Sequence, residues 1–243
     1  MAQIFCLDGD RAGNFRRIEN AVAEASENDA DIVCFPEAAI LGWVNPDAHK
    51  RAFAIPGPDT ERLSSLAKKY KIYVCVGLAE KEGDKLYNSV VLIDESGKIL
   101  LKHRKINILT KSMTPPYTPG SEVRTCDTKF GKIGLLICAD SFQQDLLSEM
   151  NKLKPDLLLI PYGWAKEEED WPEHAEQLVL TVKRAAREVG CRVIGTNLNG
   201  EISHGPSKGM VYGGGSVASD SKGKIIGRCG DRDRDIQIVT IEN

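Results

Sequence analysis

Several features that mark common protein classes are scarce or missing in this sequence of 243 residues. No apolar run approaches the length of a membrane span. The four histidines are scattered and share no metal-ligand spacing. The net charge is only −3, which argues against nucleic acid as the main partner. We therefore expect a globular protein that binds no metal, no membrane and no nucleic acid.

Cysteine occurs seven times, but the number is odd and no Cys-x-x-Cys motif is present. Several of the cysteines lie inside apolar stretches. This usage indicates free thiols, which are typical of a reducing cytoplasm. The amino terminus starts with a strand-like segment and lacks the basic start and apolar core of a signal peptide. These observations predict a cytoplasmic protein.

Apolar stretches typical of strands alternate with amphipathic stretches typical of helices along the chain. The chain has no low-complexity linker, and each of its two halves alternates strands and helices and contains a hairpin. These patterns predict an α/β fold, and the simplest packing is a four-layer α-β-β-α sandwich of two mixed sheets with helices outside. We expect strands at 3–7, 31–35, 72–79, 86–93, 98–106, 123–126, 132–138, 157–160, 192–196, around 217, 224–227 and 235–241, and helices at 14–28 (capped by Asn14), 58–70, 142–153 and 173–189.

Cys138 stands where an apolar run ends and a helical pattern begins. A side chain at such a turn lies at the rim of a sheet and close to a helix N-terminus. The helix dipole and the free N–H groups there favour a thiolate and can hold an oxyanion. Cys138 is thus a candidate nucleophile. The alternative is a small core residue, because Cys34 and Cys75 lie in equally apolar strands.

Glu37 and Lys105 also come at the ends of predicted strands, where sites of α/β proteins gather. Together with Cys138 they could carry out thiol chemistry on a carbon that bears nitrogen. Glu37 could take the thiol proton and later pass it to the leaving amine. Lys105 could stabilise the tetrahedral intermediate. Taken singly, Glu37 could be an acidic residue of a first helical turn and Lys105 a solvated strand end.

His103 offers a second candidate partner for Cys138. It lies two residues before Lys105 in the same predicted strand, so both side chains point to one face. A Cys–His pair with an acid would form a different kind of hydrolase or acyltransferase. Spacing alone leaves this alternative open.

Three motifs follow one another along the chain: Phe35-Pro36-Glu37, Arg104-Lys105 before a Pro-Gly loop, and Gly134 to Asp140 with Cys138. In this order they resemble the motifs of the nitrilase superfamily of carbon–nitrogen hydrolases. The likeness runs nearly end to end, and it implies one domain over residues 1–243, the α-β-β-α sandwich, no cofactor, a small-molecule substrate and a homodimer or larger homo-oligomer. By the same resemblance Glu37 would be the general base, Lys105 the stabilising lysine and Cys138 the nucleophile. Further segments that match the same superfamily are Asp8-Gly9-Asp10, Leu41-Gly42-Trp43, Pro155 to Pro161 and Gly214-Gly215-Ser216.

The sequence also departs from the pattern of this superfamily. Its amidases commonly carry a second glutamate seven residues before the glycine of the Pro-Gly loop, where this chain has Met113. Ala139 and Asp140 follow the cysteine in place of the tryptophan and glutamate that are usual in true nitrilases, which disfavours a nitrile and favours an amide or ureide. Met113 also keeps open a binding or regulatory protein that has lost turnover. The residues expected to contact substrate are Tyr117, Ala139, Gly163 and Trp164, with Phe142, Tyr162 and Trp171 as further aromatic candidates.

Overall fold

Two β-sheets face each other in the computed structural model, which describes residues 1–171 and 173–241. The first sheet has four strands, which pair in the order β2 (Ile32–Cys34), β3 (Tyr73–Glu82), β4 (Lys85–Ile93) and β5 (Ile99–Arg104). The second sheet has six strands, which pair in the order β14 (Ile225–Arg228), β13 (Val217–Ser219), β10 (Arg192–Asn197), β8 (Leu157–Tyr162), β7 (Gly131–Leu135) and β6 (Thr125–Thr128). Both sheets are mixed, because β2 pairs with β3, and β8 with β7 and β10, in parallel, whereas their other pairs are antiparallel.

Alternating side chains of the first sheet divide the core into two layers. Cys75 and Leu92 belong to the same buried cluster as Leu135 and Leu159 of the second sheet, so the inner faces pack on each other. Val74, one residue before Cys75, belongs to a separate cluster with the outer helices. This division follows from the two-residue period of a strand.

Helices cover the outer face of each sheet. α1 (Arg11–Glu27) and α3 (Pro58–Tyr70) lie outside the first sheet, and α4 (Gln144–Leu153) and α5 (Glu173–Val189) outside the second. A short helix, α2, spans Ala48–Arg51. The predicted α-β-β-α sandwich is therefore confirmed. None of the helices in the described part of the chain is long and apolar enough to cross a membrane.

Two small sheets complete the fold. One pairs β1 with β15, and the other has the order β11-β12-β9. The strands predicted at 3–7 and 235–241 are shorter in the structure. Only Ala2 and Gln3 pair, with Ile236 and Asp235. The strands of the small sheets are β1 (Ala2–Gln3), β9 (Ala165–Lys166), β11 (Asn199–Glu201), β12 (Val211–Gly213) and β15 (Asp235–Ile236).

The start of α1 differs from the prediction. Asp10 caps this helix through a hydrogen bond from the backbone N–H of Gly13, and the helix begins at Arg11. Asn14 is buried inside the first turns, where its side-chain amide donates to the carbonyls of Leu7 and Ile40. The prediction failed because Asn and Asp serve equally well as N-caps.

Candidate active site

Glu37 lies three residues beyond the end of β2, on a backbone that crosses closely over β3. Gly77 of β3 makes this crossing possible, since a Cβ atom there would lie 2.7 Å from the Cα of Glu37 and 2.6 Å from the carbonyl oxygen of Pro36. The Gly77 backbone also bonds to both sides of the crossing, at Pro36 and Ala39. Glu37 is therefore positioned by backbone contacts and is fully buried.

Lys105 follows the last residue of β5 and continues its pairing with β4. Its backbone N–H donates to the carbonyl of Asn88 at 2.8 Å, and its carbonyl accepts from Gly120 N–H of the Pro-Gly loop at 2.8 Å. A side chain at position 120 would collide with the Arg104 carbonyl oxygen, 2.2 Å away. The loop can therefore close over the end of β5 only with glycine there, and Lys105 is left 2% exposed.

The Glu37 carboxylate accepts three hydrogen bonds in a water-poor interior. Lys105 Nζ and Asn88 Nδ2 each lie 2.6 Å from Oε1, and the Gly163 N–H lies 2.8 Å from Oε2. Burial alone would lower the pKa of Lys105, but the Glu37 carboxylate overcomes it and raises that pKa to about 12. Lys105 is therefore held as an ammonium ion against the Glu37 side chain.

Asn88 is a site residue that the sequence reasoning missed. It lies in β4, is 1% exposed and bonds directly to Glu37. The signal in the sequence was a polar pair, Asn88-Ser89, inside the otherwise apolar stretch from Leu86 to Ile93. A buried amide inside a strand requires a polar partner, but the sequence does not say which one.

Cys138 begins a short 3₁₀ helix, Cys138–Phe142, which the sequence did not predict. The α-helix expected over 142–153 begins after it. Strand β7 ends at Leu135, and α4 starts only at Gln144. Cys138 has a φ of +40°, a strained backbone conformation for a residue with a side chain, of the kind that concentrates at functional sites. The predicted strand 132–138 was therefore too long.

The Cys138 thiol lies within electrostatic reach of both charged groups, and its pKa is raised from the ordinary value. Burial is the main cause, followed by the negative charge of Glu37, while Lys105 and the Gly163 N–H act in the opposite direction. The expectation that a helix dipole lowers this pKa was wrong, because no α-helix starts at Cys138. The raised pKa favours the protonated thiol, and the Glu37 carboxylate lies nearby.

Asp140 connects the cysteine turn to the chain segment that follows Lys105. Its carboxylate accepts hydrogen bonds from the backbone N–H groups of Ile137, Ile106 and Asn107, at 3.0, 2.9 and 2.8 Å. It also bonds to His103 Nε2 at 2.8 Å. These four bonds, which we call the Asp140 clamp, tie the residue before Cys138 to the residues after Lys105. The Nε2 atom of His103 thus bonds to Asp140 and not to Cys138.

A small cavity adjoins the Glu37–Lys105 pair and has a volume of about 10 Å³, which is room for one water-sized group. Trp43, Asn88, Lys105, Met113 and Tyr117 are among the residues that line it. Of the expected substrate contacts, only Tyr117 lies on this cavity. Met113 is buried on the same wall, so no carboxylate occupies the position at which the superfamily pattern has one.

The other expected substrate contacts lie around the cysteine turn. Gly163 donates its N–H to Glu37, and the Ala139 carbonyl accepts from Asn107 Nδ2 at 2.7 Å. Trp164 stacks on the His174 ring, with centroids 4.7 Å apart, and meets Phe142 edge-on. Their contact with substrate stays a prediction.

Two further features lie away from these groups. The acidic run 167–170 is exposed and contains a 3₁₀ helix, Glu168–Asp170, in which Glu168 pairs with Arg232. A larger cavity of about 440 Å³ lies where β2, β8 and β10 begin, at the opposite end of these strands from Glu37 and Gly163. Within residues 1–171 and 173–241, no three His, Cys, Asp or Glu side chains are grouped so that they could hold a metal ion.

Comparison with known sequences gives a consistent result. The family model described as carbon-nitrogen hydrolase matches residues 1–243. The bifunctional nitrilase/nitrile hydratase NIT4B of Nicotiana tabacum is 29% identical over 208 residues, which cover 77% of this chain and 57% of that protein. The omega-amidase NIT2 of Mus musculus is 33% identical over 139 residues, 54% of this chain and 50% of that protein. The chain thus spans about half the length of these relatives.

Comparison with solved structures shows the same fold. An amidase from Nesterenkonia sp. superimposes with a TM-score of 0.82 at 23% identity, over 96% of this chain and 86% of that chain. A mutant of the amidase from Nesterenkonia sp. AN1, in complex with butyramide, gives a TM-score of 0.82 at 22% identity, over the same 96% and 86%. The sandwich of two sheets between helices is therefore shared with these amidases.

Proposed function

This chain belongs to the carbon–nitrogen hydrolase family of the nitrilase superfamily, and from this membership we propose that it is a thiol hydrolase that cleaves a non-peptide C–N bond of a small amide or carbamoyl compound. In this proposal Cys138 is the nucleophile, Glu37 the general base and acid, and Lys105 the group that stabilises the oxyanion. The observation that carries the proposal is the buried Lys105–Glu37 ion pair, with the Cys138 thiol within electrostatic reach of both groups.

The first half of the reaction forms a thioester. Glu37 accepts the thiol proton, and Cys138 Sγ attacks the carbonyl carbon to give a tetrahedral intermediate. The Lys105 ammonium ion stabilises the negative oxygen of this intermediate, an interaction that is strong because the site excludes water. The intermediate collapses as its C–N bond breaks, and the Glu37 carboxylic acid returns its proton to the leaving nitrogen.

The second half of the reaction releases the acid. Glu37, again a carboxylate, takes a proton from water, and the resulting hydroxide attacks the thioester carbon. The C–S bond breaks, Cys138 leaves as a thiolate and regains the proton from Glu37. In each half of the reaction Glu37 accepts one proton and gives it up again, so the carboxylate is regenerated and no cofactor is needed.

An amide fits this chain better than a nitrile. The residues after Cys138, Ala139 and Asp140, differ from the pair that is usual in true nitrilases, and the Asp140 carboxylate is already saturated by four hydrogen bonds. The small cavity beside Lys105 favours a small acyl or amide group. The butyramide complex of the Nesterenkonia amidase supports a small amide as the class of substrate.

Ammonia release from a panel of short amides, carbamoyl compounds and nitriles tests this function. We expect release from at least one amide or carbamoyl compound by the wild-type protein, and none by Cys138→Ala. Release that survives Cys138→Ala would overturn the proposal. No release from any panel compound, together with binding of one of them, would favour the alternative of a binding or regulatory protein.

Three broader properties remain part of this proposal. We propose that residues 1–243 form one domain, that the protein assembles as a homodimer or larger homo-oligomer, and that it works in the cytoplasm. The match of the family model along the whole chain supports the first property. The cysteine usage supports the third, because all seven thiols are free.

A further inference from the structure

Cys34 and Cys75 face each other across two neighbouring strands and take no part in the proposed hydrolysis. Strands β2 and β3 pair in parallel, and their register places these two residues directly opposite each other. Both side chains belong to the buried cluster between the sheets, whereas their neighbours Val33 and Val74 belong to the outer cluster. The two thiols therefore project side by side from the same face of the sheet, into the core.

The spacing of the two strands permits a bond between the sulfur atoms. Neighbouring strands lie about 4.8 Å apart, and a disulfide joins residues whose Cα atoms are roughly 4.4 to 6.8 Å apart. Both cysteines are free, and each thiol is the other's hydrogen-bond partner. The reduced pair is therefore one small movement away from a disulfide.

The surroundings of the two thiols give them different chemical roles. The hydrogen bond from Cys75 is the main cause that lowers the pKa of Cys34, and the Thr196 hydroxyl acts in the same direction, while burial opposes both. Burial raises the pKa of Cys75 well above its ordinary value. Because the thiolate is the form that reacts with an oxidant, Cys34 supplies the attacking sulfur and Cys75 the resolving one.

A small oxidant has a route to Cys34 from the end of the sandwich that is remote from Glu37. Cys34 lines the cavity of about 440 Å³, together with Leu159 and Ile194 of the second sheet. Cys75 does not line this cavity and is 0% exposed. Hydrogen peroxide, which is little larger than water, therefore meets Cys34 first.

We propose that Cys34 and Cys75 form a site of reversible oxidation, at which hydrogen peroxide converts the two thiols into a disulfide that lowers activity at Glu37. The Cys34 thiolate attacks one peroxide oxygen, the O–O bond breaks, and the departing hydroxide takes up the thiol proton, which leaves a sulfenic acid and water. The Cys75 sulfur then attacks the Cys34 sulfur, a second water leaves, and the S–S bond forms. Two thiols are thus oxidised while one peroxide is reduced to two waters.

The disulfide would lie directly below the crossing that positions Glu37. Cys34 precedes Glu37 by three residues and Cys75 precedes Gly77 by two, and the Phe35 N–H donates to the Cys75 carbonyl at 2.8 Å. Bond formation draws the sulfur atoms to about 2.05 Å, so the two strands shift locally. Because Gly77 packs closely beneath the Cα of Glu37, this shift reaches the carboxylate. The effect on activity rests on the proposed function, whereas the disulfide itself does not.

Peptide mapping without reductant, after treatment with hydrogen peroxide, tests the oxidation. The remaining thiols are alkylated after unfolding, so that each cysteine is scored. We expect a cross-linked Cys34–Cys75 peptide that dithiothreitol separates, in the wild-type protein and equally in Cys138→Ala, which makes the result independent of the proposed nucleophile. The proposal is overturned if both cysteines are still alkylated, or if Cys75 pairs instead with Cys126, whose charge also acts on it.

Ammonia release before peroxide, after peroxide and after dithiothreitol tests the effect on Glu37. We expect a reversible loss of roughly ten- to hundredfold, the scale of a displacement of about 1 Å at a catalytic group. Cys34→Ala, which lacks the attacking sulfur, should keep its activity under the same treatment. Cys191→Ala is the matched control, because Cys191 is another buried thiol of the same cluster, and it should respond as the wild-type protein does.

The outcomes separate this inference from the proposed function. Equal losses in the wild-type protein and in Cys34→Ala, or a mapped disulfide with unchanged ammonia release, would overturn the effect on Glu37. A wild-type protein that releases no ammonia from any compound would contradict the proposed function, and the peptide map would still decide whether Cys34 and Cys75 form the bond.

Discussion

At the scale of single residues, the site depends on a carboxylate and an ammonium ion that are both closed off from water. Lys105 Nζ and Glu37 Oε1 lie 2.6 Å apart, with side chains 2% and 0% exposed. Neither charge would be tolerated in such a place alone. In the proposed mechanism the thiol of Cys138 completes the group, and because burial raises its pKa it needs a base, the role that we propose for Glu37.

Glu37→Gln should therefore abolish proton transfer. We expect turnover to fall about 10²- to 10⁴-fold, the usual range for a general base, in a steady-state assay of ammonia release. Glu80→Gln is the control, since Glu80 is another buried glutamate paired with Lys102 and Arg104 and takes no part in the proposed chemistry. It should lower the melting temperature and keep most of the activity. Equal activity losses in the two variants would contradict the role of Glu37.

Alanine variants distinguish the catalytic role of Lys105 from that of His103. Lys105→Ala removes the oxyanion partner and should cost about 10²- to 10³-fold in kcat. His103→Ala should cost less than Lys105→Ala, because His103 bonds to Asp140 and acts on the cysteine only through the clamp. Measuring kcat for both variants decides whether Lys105 or His103 is the partner of Cys138. Greater loss in His103→Ala than in Lys105→Ala would favour the Cys138–His103 alternative.

The Lys105–Glu37 pair also predicts a pH dependence of stability. Burial opposes the charge of Lys105, but Glu37 raises its pKa from 10.5 to about 12 in the folded protein. A pKa raised by folding stabilises the protein below the unfolded value, and this stabilisation is lost as the pH rises through the folded value. The melting temperature of the wild-type protein should thus fall between about pH 10.5 and about pH 12.

Glu37→Gln provides the control for this pH dependence. With the carboxylate removed, the cause of the raised pKa disappears, and the melting temperature should fall less steeply over the same interval. Parallel curves for the wild-type protein and the variant across this pH range would show that the pair makes no such contribution.

The three catalytic residues could be proposed from sequence because each comes at the end of a predicted strand, in a motif that resembles a known family. Asn88 and Gly77 could not be assigned in this way. Their roles depend on Glu37, which is distant in the chain and becomes a neighbour only when β2, β3 and β4 pair. The pKa of Cys138 was also mispredicted, because burial outweighs any local effect of a turn.

At the scale of secondary-structure elements, the Asp140 clamp holds two turns from different sheets in register. The turn that carries Cys138 follows β7, and the segment after Lys105 follows β5. Arg184 of α5 adds a hydrogen bond to the Ser141 carbonyl at 2.6 Å from the outer side. The distance between thiol and ammonium ion is therefore set by contacts to the backbone and not by the strands alone.

Asp140→Asn should loosen this arrangement. The amide would place an NH₂ group where backbone N–H donors now point, which we expect to cost about 3 kcal/mol of unfolding free energy and to slow alkylation of Cys138. Denaturant unfolding and the alkylation rate measure the two effects. Asp156→Asn is the control, because Asp156 also accepts a backbone N–H, from Lys132, at the far end of the sheet. An unchanged alkylation rate in Asp140→Asn would contradict the positioning role.

Element boundaries could be predicted where the chain carries its own stop signals. Helix α5 begins at Glu173 and ends at Val189, as expected from its periodicity and from Gly190, whose φ is +77°. Strand β7 stops three residues before the expected end at Cys138, because Asp140 bonds the Ile137 N–H and turns the chain into a 3₁₀ helix. A competing side-chain acceptor of this kind leaves no clear trace in hydrophobic periodicity.

At the scale of the whole molecule, the sandwich brings together segments from both sheets at one edge. Glu37 and Lys105 follow strands of the first sheet, and Gly163 follows β8 of the second. The Gly163 N–H bond to Glu37 joins the two sheets within the site. Strand alternation and the resemblance to a known superfamily were enough to predict this architecture, but not the bond between the sheets.

The expected homo-oligomer is a prediction at this same scale. Leu180 is the most exposed of the large apolar side chains, at 62%, and it lies on α5, the helix that also contacts the cysteine turn through Arg184. We expect light scattering to give a dimer or larger species and Leu180→Glu to reduce the assembled fraction. A monomer at all concentrations would contradict this expectation.

The most direct test of the central claim is intact-mass analysis of the protein after mixing with short amides and carbamoyl compounds. Our account predicts an acyl adduct that peptide mapping places on Cys138, that is absent in Cys138→Ala and whose mass identifies the acyl group. The contradicting result is no adduct with any compound, together with a Cys138 that iodoacetamide alkylates no faster than the buried thiols Cys34 and Cys75.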